Sequence, residues 1–178
     1  MTEIGKEYGK ALFMLSEELG NTEDVLADLT AVAEVFEQNP AYPKLLDTPA
    51  VSKSEKLALV SEAFLSVEES VVNLIKILCE KHSVHAFCDV SKNFRALYNE
   101  ARGIENVEAV SAVAMSEEQI TRLADRLGER TGKTVLIKNT VDSGVLGGIK
   151  LRYGGTQLDG TVRASLDRFE RMLEGSAI

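Results

Sequence analysis

Gly103-Ile-Glu-Asn-Val-Glu-Ala-Val-Ser-Ala-Val-Ala-Met-Ser-Glu-Glu-Gln119 is where the pattern of the chain changes. Upstream of it, apolar residues recur every three or four positions, as one face of a helix requires. Within it, residues 107–113 are β-branched and small, which reads as a strand. The stretch closes on Ser116-Glu-Glu-Gln119, a capping box in which a hydroxyl and a carboxamide satisfy each other's backbone amides and start a helix. The pattern places a boundary near Ile104, separating residues 1–104 from residues 105–178.

Working outward toward the N-terminus, Phe87, Val90, Phe94, Leu97 and Ala101 form the apolar stripe of a helix that ends at Gly103. Before it, Ser66-Val-Glu-Glu69 reads as a capping box opening a helix with Val71, Leu74, Ile75 and Leu78 on one stripe, and Ser52-Lys-Ser-Glu55 opens another with Leu57, Val60 and Phe64 inward. A short element surrounds Tyr42 and Leu46. Val25, Leu29, Val32 and Phe36 mark a helix that stops at Asn39-Pro40, because proline disfavours helical geometry in the residue before it. The first helix places Ile4, Tyr8, Ala11, Leu15 and Leu19 on one face and ends at Gly20-Asn21. The expected architecture is an α-helical N-terminal six-helix bundle.

Toward the C-terminus, Ile120, Leu123 and Leu127 are expected to be buried by a helix stopping at Gly132. Residues 134–139 alternate as a half-buried strand, as do Ile149, Leu151 and Tyr153 against Lys150 and Arg152. Gly154-Gly155 marks a turn. Asp159-Gly160-Thr161 can cap a last helix carrying Val162, Leu166, Phe169 and Leu173. Residues 105–178 therefore read as a small α/β C-terminal domain.

The 178 residues carry 20 Lys and Arg against 28 Asp and Glu, a net charge of −8. Residues 1–104 hold 10 basic and 17 acidic groups, and residues 105–178 hold 10 and 11. An acidic surface repels phosphate backbones and anionic lipid, which argues against nucleic acid or bare membrane as the main partner. No window supplies the roughly 18 apolar residues of a membrane helix. The polar start, Met1-Thr-Glu-Ile-Gly-Lys-Glu7, has no presequence pattern and favours a bacterial protein that stays on the cytoplasmic side. Two cysteines are too few for a disulfide framework.

Cys79, His82, His85 and Cys88 are possible zinc ligands at a constant spacing of three. On one helix each step of three advances about 300°, so Cys79 and Cys88 fall on opposite sides unless the chain turns between them. Gly144-Val-Leu-Gly147 matches the glycine pair of KH RNA-binding loops, but it precedes a strand in a nearly neutral segment behind Asp142. Neither histidine has an evident triad partner, and the carboxylates cluster at helix starts, where they complement the helix dipole. Neither an enzyme nor a cofactor site is expected. The first and fifth helices have apolar arcs wider than one stripe, widened by Leu12 and Phe13 in one and by Val72, Ile77 and Leu78 in the other. Such helices are central in a bundle or help to form a groove for another helix.

Several motifs together resemble the delta subunit of F-type ATP synthases, related to the mitochondrial oligomycin-sensitivity-conferring protein. Tyr8-Gly-Lys-Ala-Leu-Phe13 is similar to the family's opening, and Leu46-Asp-Thr-Pro49 to its Leu-x-x-Pro segment. Ser111-Ala112 with Met115-Ser-Glu-Glu-Gln119 looks like its strand-to-helix join. Val135-Leu-Ile137, Val141-Asp142, Val145-Leu-Gly-Gly-Ile149, Leu151-Arg152, Gly154 and Asp159-Gly-Thr-Val162 follow its C-terminal signature. Gly9 stands where the family has alanine and is expected to loosen the first helix by up to about 1 kcal/mol. Thr161 replaces a serine and keeps the capping hydroxyl.

The resemblance implies a stator subunit without catalytic residues. It implies that residues 1–104 bind the N-terminal helix of an alpha subunit in a groove of the first and fifth helices, with Tyr8, Ala11, Leu12, Leu15, Val71, Leu74, Ile75 and Leu78 as contacts. It implies that residues 105–178 hold the b subunits of the peripheral stalk, with Gly147, Gly148 and Asp159 as signature positions whose role is structural. Taken without the resemblance, the residues also fit a helical adaptor for some other amphipathic helix, or a metal-binding or RNA-binding module.

Overall fold

The structure is a computed structural model and describes residues 2–145 and 147–161. It is helical up to Ala101 and built around a small mixed sheet from Ile104 onward. The chain divides between Tyr98 and Asn99 into two compact units.

In the first unit the helices are α1 (Glu3–Leu19), α2 (Thr22–Gln38), α3 (Ala41–Asp47), α4 (Lys53–Ala63), α5 (Glu69–Glu80) and α6 (Phe87–Ala101), with a 3₁₀ turn over Val84–Ala86 ahead of α6. The expected stripes of α2 and α5 are buried throughout: Val25, Leu29, Val32 and Phe36 on the one, Val71, Leu74, Ile75 and Leu78 on the other. Phe87, Val90 and Phe94 complete the core from α6. Phe36 and Phe87 meet edge to face with ring centroids 5.1 Å apart, a favoured aromatic geometry.

Two local expectations need correction. Ser66 does not cap α5, which begins at Glu69 behind an N-cap Glu68 that makes no side-chain cap bond. The Asp28 carboxylate accepts from the Glu68 amide at 2.6 Å, and Asn21 Nδ2 donates to Glu68 Oε2 at 3.2 Å. A tertiary carboxylate thus supplies one half of what a capping box supplies, the acceptor for the N-cap amide. The second correction concerns α1, whose buried residues are Gly5, Gly9, Leu12 and Ser16 rather than the Leu15 stripe. At 100° per residue the buried face is rotated about 90° from the apolar stripe.

The cause lies in the glycines. A Cβ on Gly5 would sit 2.6 Å from Asp89 Cβ, and one on Gly9 would sit 2.7 Å from Asn93 Oδ1 and 2.9 Å from Asn93 Cβ. Without those carbons, α1 packs closely on α6. Gly9 therefore sits at a helix contact, inside an α1 that runs unbroken from Glu3 to Leu19. Its propensity cost is set against that close packing. Phe13 reaches over to Phe94 with centroids 5.6 Å apart.

The second unit pairs β1 (Ile104–Ser111), β2 (Thr134–Val141), β3 (Ile149–Tyr153) and β4 (Thr156–Asp159) in the order β2-β1-β3-β4. β1 and β2 run parallel, joined by α7 (Glu117–Thr131), and the other neighbours are antiparallel. The Ser116 capping box forms as expected, and Gly132 ends α7 in the left-handed region. Ile120, Leu123 and Leu127 are half-buried rather than buried. β1 starts three residues before the expected run, and β4 carries no alternation for periodicity to detect. All four β4 residues are exposed, and pairing to β3 alone makes them a strand. The helix expected around Leu166 lies outside the described residues.

Candidate helix-docking surface

Because α1 turns its glycines inward, part of its apolar stripe is left outside. Leu15 is 44% exposed and Leu19 62%, Ala11 is also exposed, and Tyr8 is half-buried. Met14 adds to this surface. Stripes of this length on a soluble helix commonly mark a contact with another chain. On α5, Ile77 is 41% exposed while Leu74, Ile75 and Leu78 are buried.

The expected contact residues thus divide into two sets. Tyr8, Ala11 and Leu15 are accessible on α1. Leu12, Val71, Leu74, Ile75 and Leu78 are packed into the core. For the second set, a partner would meet the backbone and flanking side chains of α5 rather than the side chains named from the sequence. Leu19 and Ile77 belong to the apolar arcs read from the sequence but were not named as contacts, and Met14 was missed; all three are exposed.

The cysteine and histidine positions have a structural explanation. Asp47, at the end of α3, accepts from the Val84 amide at 2.7 Å and the His85 amide at 3.1 Å, and its carboxylate lies 3.0 Å from His85 Nδ1. His82 Nδ1 donates to the Asp47 carbonyl oxygen at 3.2 Å. One carboxylate therefore organises the 3₁₀ turn, much as a cap organises a helix end. Cys79 is in the core, where burial pushes its thiol up to about 11. Among the described residues, no group of three or more His, Cys, Asp or Glu is arranged to hold a metal.

In the second unit the signature residues meet at one corner of the sheet. Gly148 has φ +84, and a Cβ there would lie 2.4 Å from the Gly160 carbonyl oxygen and 2.9 Å from Thr161 Cα, so only glycine fits. Asp159 Oδ1 accepts from the Thr161 amide at 3.0 Å and from its hydroxyl at 2.7 Å. The Gly160 amide donates to the Ile149 carbonyl at 3.1 Å, tying the two segments together. Gly147 leads into this corner. The Gly144 loop joins β2 to β3, not two helices, and the Gly144 amide donates to Asp142 Oδ1 at 2.8 Å.

Asn139 escaped the sequence reading. Its Nδ2 donates to the Ala109 carbonyl and to Ser111 Oγ, both at 2.8 Å, and its Oδ1 accepts from the Met115 amide at 2.9 Å. One carboxamide thereby holds β1, β2 and the approach to α7 together. An asparagine in the middle of a β-branched run was the available clue, since strands disfavour it.

A family model described as the ATP synthase delta (OSCP) subunit matches residues 4–173. A protein of Geobacillus sp. (strain WCH70) named ATP synthase subunit delta is 35% identical over 173 residues, covering 97% of each chain. One of the same name from Leuconostoc citreum (strain KM20) is 31% identical over 98% of each chain, and one from Clostridioides difficile (strain 630) is 34% identical over 96% of this chain and 95% of its own. Among solved structures, a chain of the Toxoplasma gondii mitochondrial ATP synthase hexamer superposes with a TM-score of 0.75 at 21% identity, covering 97% of this chain and 98% of that one. At that identity it shows the fold.

Proposed function

The chain belongs to the ATP synthase delta (OSCP) subunit family, and from that membership we propose how its two parts divide the work. As a member it is a non-catalytic component of the stator of F-type ATP synthase. A stator joint must hold the catalytic head against rotor torque while allowing elastic movement, and a connector with a separate surface for each side meets that requirement.

We assign head binding to residues 1–104, taken as a six-helix domain. The N-terminal helix of an alpha subunit docks in a groove of α1 and α5, with Ala11, Leu15 and Leu19 as the accessible anchors on α1, Tyr8 at their side, and Ile77 as the exposed apolar residue that α5 offers. Leu12, Val71, Leu74, Ile75 and Leu78 form the packed floor that holds those anchors in place. The b subunits of the peripheral stalk bind residues 105–178. The protein reaches the cytoplasmic face of a bacterial membrane through these partners. Among the described residues no helix is long and apolar enough to cross one.

The observation that carries this proposal is the 90° offset on α1, which leaves leucines in water that the core has no use for. Calorimetric titration of the full chain with a synthetic N-terminal helix of the cognate alpha subunit tests it. Saturable binding with a negative heat-capacity change, absent for a scrambled peptide, is the expected result. If the two peptides give the same heats, α1 is not the docking surface. A helical adaptor for some other partner would leave both alpha peptides unbound.

A further inference from the structure

Residues 11–43 hold seven acidic side chains and neither lysine nor arginine. The run covers the second half of α1 and all of α2. Lys6 and Lys10 precede it, so along α1 the charge changes from mixed to purely acidic toward the Leu19 end. Exposed Glu17, Glu18, Glu23 and Asp24 flank the turn at Gly20-Asn21 that joins the two helices.

The fold accounts for three of these four carboxylates. Thr22 Oγ1 donates to Glu17 at 2.8 Å, and the Tyr98 hydroxyl donates to Glu23 at 3.4 Å. Asp24 stands in the first turn of α2, where the helix dipole favours an acid. Glu18 has neither reason. It makes no hydrogen bond or ion pair among the described residues, and it sits in the last turn of α1, at the negative end of the dipole, where a base is favoured and none is present. At 100° per residue it lies about 20° round the helix from Ala11, and Glu7 lies about 40° from it, both on the side away from Leu15. The accessible apolar strip of α1 therefore has an acidic border.

We propose that the docked helix is basic where it crosses the Leu15–Leu19 end of α1, and that Glu18 faces a lysine or arginine of the partner there. This deepens, and rests on, the docking of the alpha-subunit helix proposed above. The apolar anchors supply the contact area. The border fixes which end of the partner lies over Leu19, because a reversed helix would carry its cations to the end of α1 that holds Lys6 and Lys10.

Calorimetric titration of the full chain with the synthetic N-terminal helix of the cognate alpha subunit, from low to high salt, tests the proposal. Binding should weaken as salt rises. Glu18→Lys should weaken it by about three- to tenfold at low salt, with the gap narrowing at high salt. The same variant should unfold no lower than the wild type, because its charge suits the helix dipole, so the lost affinity is not lost folding. Glu129→Lys, an equal change of charge in the second unit, should bind as the wild type does. A peptide with its Lys and Arg replaced by Gln should bind the wild type and Glu18→Lys equally. Equal affinity of both proteins for the native peptide at low salt would overturn the proposal and leave the apolar docking standing, as would a gap that persists with the Gln peptide. Absence of binding to either protein at any salt would refute the docking itself and this inference with it.

Discussion

Replacing Gly5 with alanine separates the two forces that set the orientation of α1. Helix propensity alone favours alanine in a helix interior by about 1 kcal/mol. Packing opposes it: the added carbon would lie 2.6 Å from Asp89 Cβ, 3.1 Å from the Asp89 carbonyl carbon and 3.1 Å from Thr2 Oγ1. Carbon pairs rest at about 3.5–4.0 Å, so α1 and α6 must part by roughly 1 Å. Asp89 Cβ is fixed to the backbone and cannot swing aside. Overpacking of this kind costs about 1–3 kcal/mol. Moving α1 also strains the N-terminal anchor, in which Thr2 Oγ1 accepts from the Gly5 amide at 3.2 Å and the Thr2 amide donates to Asp89 Oδ2 at 2.5 Å. Loss of that cap adds about 1 kcal/mol. The net expectation is a destabilisation of about 1–3 kcal/mol after the propensity gain. Urea unfolding followed by far-UV circular dichroism measures it. A cycle with Asp89→Gly, which removes the opposing carbon, should recover most of the loss as a coupling energy. If Gly5→Ala instead raises the midpoint, α1 does not rest on α6 at this distance, and the explanation for its exposed leucines is wrong.

Three further outcomes are expected. Asn139→Ala should cost the sheet about 2–4 kcal/mol, because it strands the Met115 amide and two acceptors, and hydrogen exchange in β1 and β2 should report the loss. Gly148→Ala should be worse tolerated than Gly155→Ala, since both have positive φ but only Gly148 faces backbone at 2.4 Å; the comparison of their unfolding midpoints decides it. The amide and hydroxyl of Thr2 hold the Asp89 carboxyl below its ordinary value. Its contribution is therefore present above the unfolded value near pH 4 and lost as the pH falls through the lower folded one. The stability gap between the wild type and Asp89→Asn, measured across that range, should close in acid.

How much of this was legible depends on what set each feature. α2, α5 and α6 follow from spacing because their apolar stripes are their buried stripes. The boxes at Ser52 and Ser116 were legible because both halves of each are local in sequence. The box at Ser66 did not form: α5 starts at Glu69, and Asp28, 40 residues away, accepts from the amide of its N-cap Glu68, a contact no local pattern announces. The same limit applies to α1, where periodicity found a real apolar face but could not show that Gly5 and Gly9 would offer α6 a closer fit. For the docking surface, the sequence identified the helices and one accessible set of residues on α1. On α5 it named the residues that hold the helix in the core. β4 was invisible because hydrogen bonding, not burial, defines it.

The most direct test of the account is the affinity of the full chain for the alpha-subunit helix when Leu15 is changed to Asp. Leu15 is 44% exposed, so the variant should fold with a midpoint close to the wild type, whereas Leu74→Asp at 4% exposure should unfold the core. With folding intact, a charge placed in the apolar contact should weaken binding by about tenfold to a hundredfold, equivalent to about 1.4–2.8 kcal/mol. Unchanged affinity in folded Leu15→Asp would contradict the assignment of the exposed face of α1 as the surface that holds the head.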